Sequence, residues 1–215
     1  MDTQPKLSIC LATVENRCDL FALLHAELLR QTKDHPEVEL IVACDAKQIS
    51  IGKKRQNLLE AATGDYVCYI DDDDWISVDY VVTILDALKS KPDCVGFEIH
   101  CTKNGGAVES AIASMRYKQW GDHQDGYRYN RSIYHKTPVR RELALQVGFP
   151  DLRYAEDKFY SAGVQALCKT EVFIKRVLYY YRYRNEPFGT KYGIVGGNRG
   201  TKGIVYDHVR KPFQH

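Results

Sequence analysis

Residues 66–70, Tyr-Val-Cys-Tyr-Ile, form an apolar, strand-like run that leads directly into four carboxylates, Asp71, Asp72, Asp73 and Asp74, and then Trp75. Acidic runs are most often solvated surface. A buried strand that ends in one is different, because open α/β sheets bind ligands at the carboxyl ends of their strands. Close carboxylates repel by roughly 1 kcal/mol per pair in water and by several times that when partly buried. A hard divalent cation, Mg2+ or Mn2+, relieves that repulsion and commonly bridges to phosphate oxygens. Side chains alternate along a strand, so Asp71 and Asp73 face one way and Asp72 and Asp74 the other. The Asp71/Asp73 pair is the natural grip for such a cation.

Two further groups carry chemistry. Glu156 and Asp157 open a helical segment. There they either stabilise a helix N-terminus, by up to ~1 kcal/mol, or supply a base that removes a proton within about 3 Å. From Lys169 onward the chain has ten Lys/Arg against three Asp/Glu, although its overall net charge is only +2. Such a basic end is either a solvated tail or a source of cations for a phosphate-bearing ligand, with Arg182, Arg184 and His208 as candidates.

The elements that must position these groups alternate. Residues 7–13, 38–45, 65–70 and 94–101 read as strands, and 18–31, 53–62 and 78–89 as helices. Gly64 is the expected stop of the second helix and Ser77 the N-cap of the third. The alternation predicts a mostly parallel, Rossmann-like α/β sheet with helices on both faces. Residues 102–127 are loops or a β-excursion. A helix is expected from Thr137-Pro138 to about Val147, ended by Gly148, another over 156–167, and one or two strands over 171–184. At 215 residues the chain makes one domain, over 1–185, with a Gly-rich basic tail over 186–215 that is mobile or ordered by ligand.

The seven cysteines are odd in number, irregularly spaced and without a C-x-x-C pair. They predict reduced thiols in a cytoplasmic protein rather than a zinc site or a disulfide framework. No run of 18 apolar residues occurs, so no membrane-spanning helix is expected. The N-terminus lacks the pattern of a signal peptide.

The segment IGKKRQNLLEAATGDYVCYIDDDDW resembles the signature of glycosyltransferase family 2, which has the GT-A fold. Its matching positions are Gly52, Arg55, Thr63-Gly64, the strand over 66–70, and Asp71 to Asp73. LSICLATVENR is similar to the family's first strand and nucleotide-binding turn, with Thr13, Glu15 and Arg17. VELIVACDA is similar to its second strand, ending in Asp45. VGFPDLRYAEDKFYSAGVQA resembles the family's Glu-Asp motif, and VLYYYRYRN its late Tyr-Arg strand.

The resemblance implies transfer of a sugar from a nucleoside diphosphate donor, a UDP-sugar in our reading, to a hydroxyl acceptor with inversion. Thr13, Glu15, Arg17, Asp45, Arg55, Asp71, Asp72, Arg182 and Arg184 would bind the donor. Asp71 and Asp73, with His208, would hold Mn2+ or Mg2+. Asp157 would be the base, with Glu156 second. Trp75 would cover the sugar or anchor the turn, and tyrosines 127, 129, 134 and 179–181 offer stacking surfaces or packing. The acceptor stays open among a saccharide, a lipid-linked compound and a modified nucleic-acid base, the last guided by the basic tail. Two other readings use the same residues. Nucleotidyl transfer to a sugar phosphate would release pyrophosphate instead of UDP, and a non-catalytic nucleotide-sugar binding module would bind UDP without turnover.

Overall fold

The computed structural model describes residues 5–184 and the backbone of 205–208. In chain order it contains β1 (Leu7–Val14), a 3-10 turn (Glu15–Arg17), α1 (Cys18–Thr32), β2 (Val38–Asp45), α2 (Ile51–Ala61), β3 (Tyr66–Asp71), β4 (Trp75–Ile76) and α3 (Tyr80–Leu88). There follow β5 (Cys94–Lys103), β6 (Val108–Ala113), β7 (Gly121–Gln124), β8 (Tyr127–Arg131), β9 (Val139–Arg140), α4 (Arg141–Val147), α5 (Glu156–Leu167), β10 (Glu171–Tyr183) and β11 (Val205–His208).

β2, β1 and β3 are parallel neighbours with β1 central. Val14 lies opposite Asp45, and Ala12 opposite Asp71. That register puts the three strand ends, and their polar residues, on one edge. Both faces of these strands are covered, which is why they read as nearly continuous apolar runs. Leu7, Ile9 and Leu11 pack with Leu24 and Leu28 of α1 and Ile84 and Leu88 of α3. On the opposite face Cys10, Val67 and Tyr69 pack with Leu58 and Leu59 of α2, Ala144 of α4 and Val164 of α5.

The second half departs from simple alternation. β5 does not pair with β3; the two-residue β9 lies between them, antiparallel to both. Val139 and Arg140 are used in that bridge, so α4 begins at Arg141 rather than at Thr137-Pro138. The segment over 102–127 is a β-excursion in which β6 pairs with β5 and β8, and β7 closes on β8. β10 is one long strand, parallel to β5, with register shifts between Ile174 and Val177 and between Val177 and Tyr179. The backbone of β11 pairs antiparallel with β2; the rest of the expected 186–215 tail lies outside the described residues.

Two expected caps are corrected. α2 ends at Ala61, and Gly64 serves a different purpose: a Cβ there would stand 2.8 Å from the Ser8 amide nitrogen. α3 is preceded by Asp79 rather than Ser77, whose carbonyl instead accepts the Tyr80 amide. Gly52, in the first turn of α2, is required by contact, because a Cβ would lie 2.0 Å from the Pro150 carbonyl oxygen. The Gly52 amide also donates to Leu152 at 3.1 Å. That approach holds the segment leading into α5 against the sheet edge. Among the described residues no helix is long and apolar enough to cross a membrane.

Candidate active site

The acidic run turns as β3 ends, and alternation survives the turn. Asp72 and Asp74 side chains are 2% and 0% exposed, whereas Asp71 and Asp73 keep 24% and 31%. Each carboxylate meets a donor that the fold brings from elsewhere. Asp72 accepts from Thr13 Oγ1 at 2.7 Å and from Arg17 Nη1 at 2.8 Å. Arg17 Nη1 also reaches Asp73 at 3.2 Å. Asp71 accepts from Arg55 Nη2 at 2.8 Å and from Lys136 Nζ at 2.6 Å. Asp74 is bonded by Lys136 Nζ, by the Tyr179 hydroxyl at 2.7 Å and by the Arg182 amide at 2.8 Å. The Arg182 side chain then straps the turn, donating to the Asp73 and Asp74 carbonyls. Repulsion within the run is therefore met by protein cations.

Burial and charge set the protonation states. Burial raises the Asp71 carboxyl, but Lys136 and Arg55 outweigh it and hold Asp71 well below the usual carboxylate range. Asp73 is pushed up by burial and by neighbouring Asp71. His135, whose Nε2 lies 3.6 Å from Asp71, is pushed down to about 4 by burial and by the Arg55 guanidinium, so its ring is neutral near pH 7.

Arg55 joins this turn to the second acidic pair. Its guanidinium bonds Asp71 on one side and Glu156 on the other. Glu156 is thus buried and occupied, with burial raising its carboxyl. Asp157 is half-buried, and its carboxylate makes no hydrogen bond or ion pair among the described residues. The pair is presented by Ala155, which takes φ +63°, a left-handed conformation uncommon for a residue with a Cβ.

Two cavities meet at Arg55 and Asp71. One, of about 630 Å³, lies over the ends of β1, β3 and β10, with seven Lys/Arg and three Asp in its lining. That balance suits an anionic ligand. Thr13, Arg17, Arg55, Asp71, Asp72, Asp73, Arg182 and Arg184 all line it. The other, of about 610 Å³, extends over β5, β6 and β8. Its wall carries Trp120, Tyr129, Tyr134, Tyr181 and Tyr183, and Asp71, Glu156 and Asp157 also line it.

Several candidates stand apart. Asp45 is buried and bonded to Lys54 and to the Ile49 amide; these two residues line the cationic cavity, and Asp45 itself does not. Glu15 is exposed and lines neither cavity. Trp75 is outside both linings and packs on the core under the Arg182 guanidinium, the anchor alternative. Tyr179 is buried packing with a hydroxyl in the Asp74 network. The backbone of His208 pairs opposite Ile41, and its side chain lies outside the described residues. Sequence reasoning missed Lys54, His135 and Lys136. The available signal for the last two was a His-Lys pair closing the apolar stretch Ile133-Tyr134.

The donor set fits a divalent cation of one kind only. Among the described residues no three His, Cys, Asp or Glu side chains surround a common point. Both Asp71 oxygens carry cationic partners, and Asp73 keeps Oδ1 unbonded. Mg2+-like ions are often held by one or two carboxylates, with phosphate oxygens and water completing the shell. A crowded Asp73 whose carboxyl is pushed up matches that mode.

A sheet of this topology, with an acidic turn at the end of its third strand, defines the GT-A architecture. The family model for glycosyl transferase family 2 matches residues 41–148, and the chain belongs to that family. "Putative glycosyltransferase EpsH" of Bacillus subtilis (strain 168) is 27% identical over 146 residues, covering 61% of this chain and 41% of that protein. S. aureus TarS 1-349 in complex with UDP superposes with a TM-score of 0.63 at 18% identity, over 82% of this chain and 60% of that one. The mannosyltransferase PcManGT from Pyrobaculum calidifontis, solved with GDP-Man and Mn2+, gives 0.51 at 15% identity, over 83% of this chain and 57% of that one. The chain thus spans between about two fifths and three fifths of the length of these proteins.

Proposed function

We propose that this domain transfers a glycosyl group from a nucleoside diphosphate sugar, with UDP as the nucleotide, to a hydroxyl acceptor, inverting the anomeric centre. The observation that carries the reading is the meeting of a cation-rich cavity and an aromatic one at Asp71, with the unbonded carboxylate of Asp157 facing the second. TarS has been solved with UDP and with UDP-GlcNAc, which supports the choice of nucleotide.

In this reading Arg17, Lys54 and Arg182 attract the diphosphate into the cationic cavity. Asp73 would hold Mn2+ or Mg2+, with Asp71 beside it, and such an ion would supply positive charge to offset the negative charge that grows on the leaving diphosphate. Asp157 accepts the proton of the acceptor hydroxyl as its oxygen bonds to the anomeric carbon. The bond from that carbon to the diphosphate oxygen breaks on the opposite side, so the configuration inverts and UDP departs. Glu156 fixes Arg55 and through it Asp71. Trp120, Tyr129 and Tyr134 provide faces on which an acceptor ring can stack, which favours a saccharide. A cytoplasmic setting belongs to the same reading.

Calorimetric titration with UDP in Mn2+, repeated in EDTA, tests it. Saturable binding that the chelator removes is the expected result; no binding in either condition would overturn the donor assignment. With turnover, release of UDP rather than pyrophosphate excludes nucleotidyl transfer.

A further inference from the structure

One buried cation is tied to two carboxylates of the acidic turn at once, and the reading above does not use it. Lys136 lies in the stretch between β8 and β9, is 4% exposed, and has its ammonium within bonding reach of three neighbours. It bonds Asp71 at 2.6 Å, Asp74, and the Tyr179 hydroxyl at 3.0 Å, and it sits 4.5 Å from the Tyr179 ring centroid. The Tyr181 ring lies 4.8 Å away on the wall shared by both cavities. A buried ammonium is costly unless paired and hydrogen-bonded, and here Asp71 and Asp74 keep it charged against the opposite push of burial.

We infer that Lys136 is a positioning residue that acts as the internal counter-ion of the acidic turn, withdrawing Asp71 and Asp74 from cation binding. A divalent ion would then enter only together with the donor diphosphate, and through Asp73. The geometry separates the four carboxylates by task. Asp72 is closed by Thr13 and Arg17, Asp74 by Lys136, Tyr179 and the Arg182 amide, and Asp71 by Arg55 and Lys136. Asp73 has one long contact to Arg17 and is the most exposed of the four. An ammonium between Asp71 and Asp74 also lets four consecutive carboxylates stay folded with no ion present. Without it, like charges in a partly buried site would repel or recruit a cation. The inference rests on reading this turn as the donor-diphosphate site.

The test is Mn2+ affinity measured calorimetrically with and without UDP on the whole chain. The wild-type protein should bind Mn2+ alone at least tenfold more weakly than with saturating UDP. Lys136→Met should bind Mn2+ alone at least tenfold more tightly than wild type, and Lys136→Arg should restore the wild-type value. A merely structural lysine would instead lower or leave unchanged the Mn2+ affinity on removal, and that result overturns the inference. So does wild-type protein that binds Mn2+ as tightly alone as with UDP, a measurement that stands even if Lys136→Met fails to fold. Absence of UDP binding to wild type would sink the donor reading, while the comparison of Mn2+ alone on wild type and Lys136→Met would still decide the role of the lysine.

Discussion

The two cavities that meet at Asp71 are nearly equal in volume, about 630 and 610 Å³, and opposite in construction. The first is built by the regular half of the fold. Parallel strands β1 and β3 end on one edge, and the carboxylates at the end of β3 are already paired. Thr13 and Arg17 hold Asp72, Lys54 holds Asp45, and Arg55 holds Asp71. The second cavity is built by the irregular half, where β8 and Trp120, just ahead of β7, supply aromatic rings and cations stacked on one another. Arg131 lies 5.1 Å from the Trp120 centroid and 5.2 Å from that of Tyr129. Pre-paired charge at strand ends makes a stiff site for a common, highly charged group. An excursion of short strands is a surface that can vary without disturbing the parallel core. In the proposed reading the nucleotide takes the first cavity and selectivity for the acceptor belongs to the second.

That division breaks most visibly at Asp157. Asp157→Asn should slow transfer by ~10²–10⁴-fold, the span of general-base catalysis, while UDP binding by calorimetry stays within twofold; a matching loss of UDP affinity would merge the two cavities into one site. Next in size is the hidden pair behind the cationic cavity. Burial raises the Asp45 carboxyl, but its bonds to Lys54 and the Ile49 amide more than reverse this, so Asp45 is held below its ordinary value. A carboxyl depressed in the folded state contributes its stability above the unfolded value of about 3.9 and loses it as pH falls through the folded value. Asp45→Asn should therefore cost ~3 kcal/mol near neutral pH, and urea melts should show the gap from wild type closing below about pH 4.

A smaller effect is expected at Asp73. Asp73→Asn should reduce UDP affinity in Mn2+ to the value found in EDTA, roughly tenfold or more on the scale of one lost charge-assisted contact. Affinity that still responds to the chelator would place the ion elsewhere. The smallest change sharpens the second cavity. Trp120→Ala should raise the acceptor KM several-fold, about 1 kcal/mol of ring stacking, with UDP affinity unchanged; an unchanged acceptor KM would remove Trp120 from the acceptor wall.

Much of the first cavity was legible in the sequence because its residues are local signals. Strand-like runs ending in Thr13, Asp45 and Asp71 declare strand ends, and parallel pairing then brings those ends to one edge. The second cavity was not legible in the same way. Residues 102–127 carry no sustained periodicity, and β9 is two residues long, too short to register against the Pro-led helix expected there. Lys136 was invisible for a simpler reason. It neighbours Asp71 and Asp74 only because β9 returns between β3 and β5, and no spacing rule links positions so far apart in the chain.

By itself the sequence determined the alternating α/β frame, the placement of a carboxylate run at a strand end and the resemblance to glycosyltransferase family 2, all of which rest on contiguous pattern. Tertiary structure alone decided which carboxylates are spoken for. Asp72, Asp74 and Glu156 look as available in the chain as Asp73 and Asp157, yet the folded protein buries the first three against Arg17, Lys136 and Arg55 and leaves the other two with open oxygens. The physical reason is that a side chain's charge environment is set by neighbours through space, and those neighbours come from a turn, a helix and a loop far apart in the sequence.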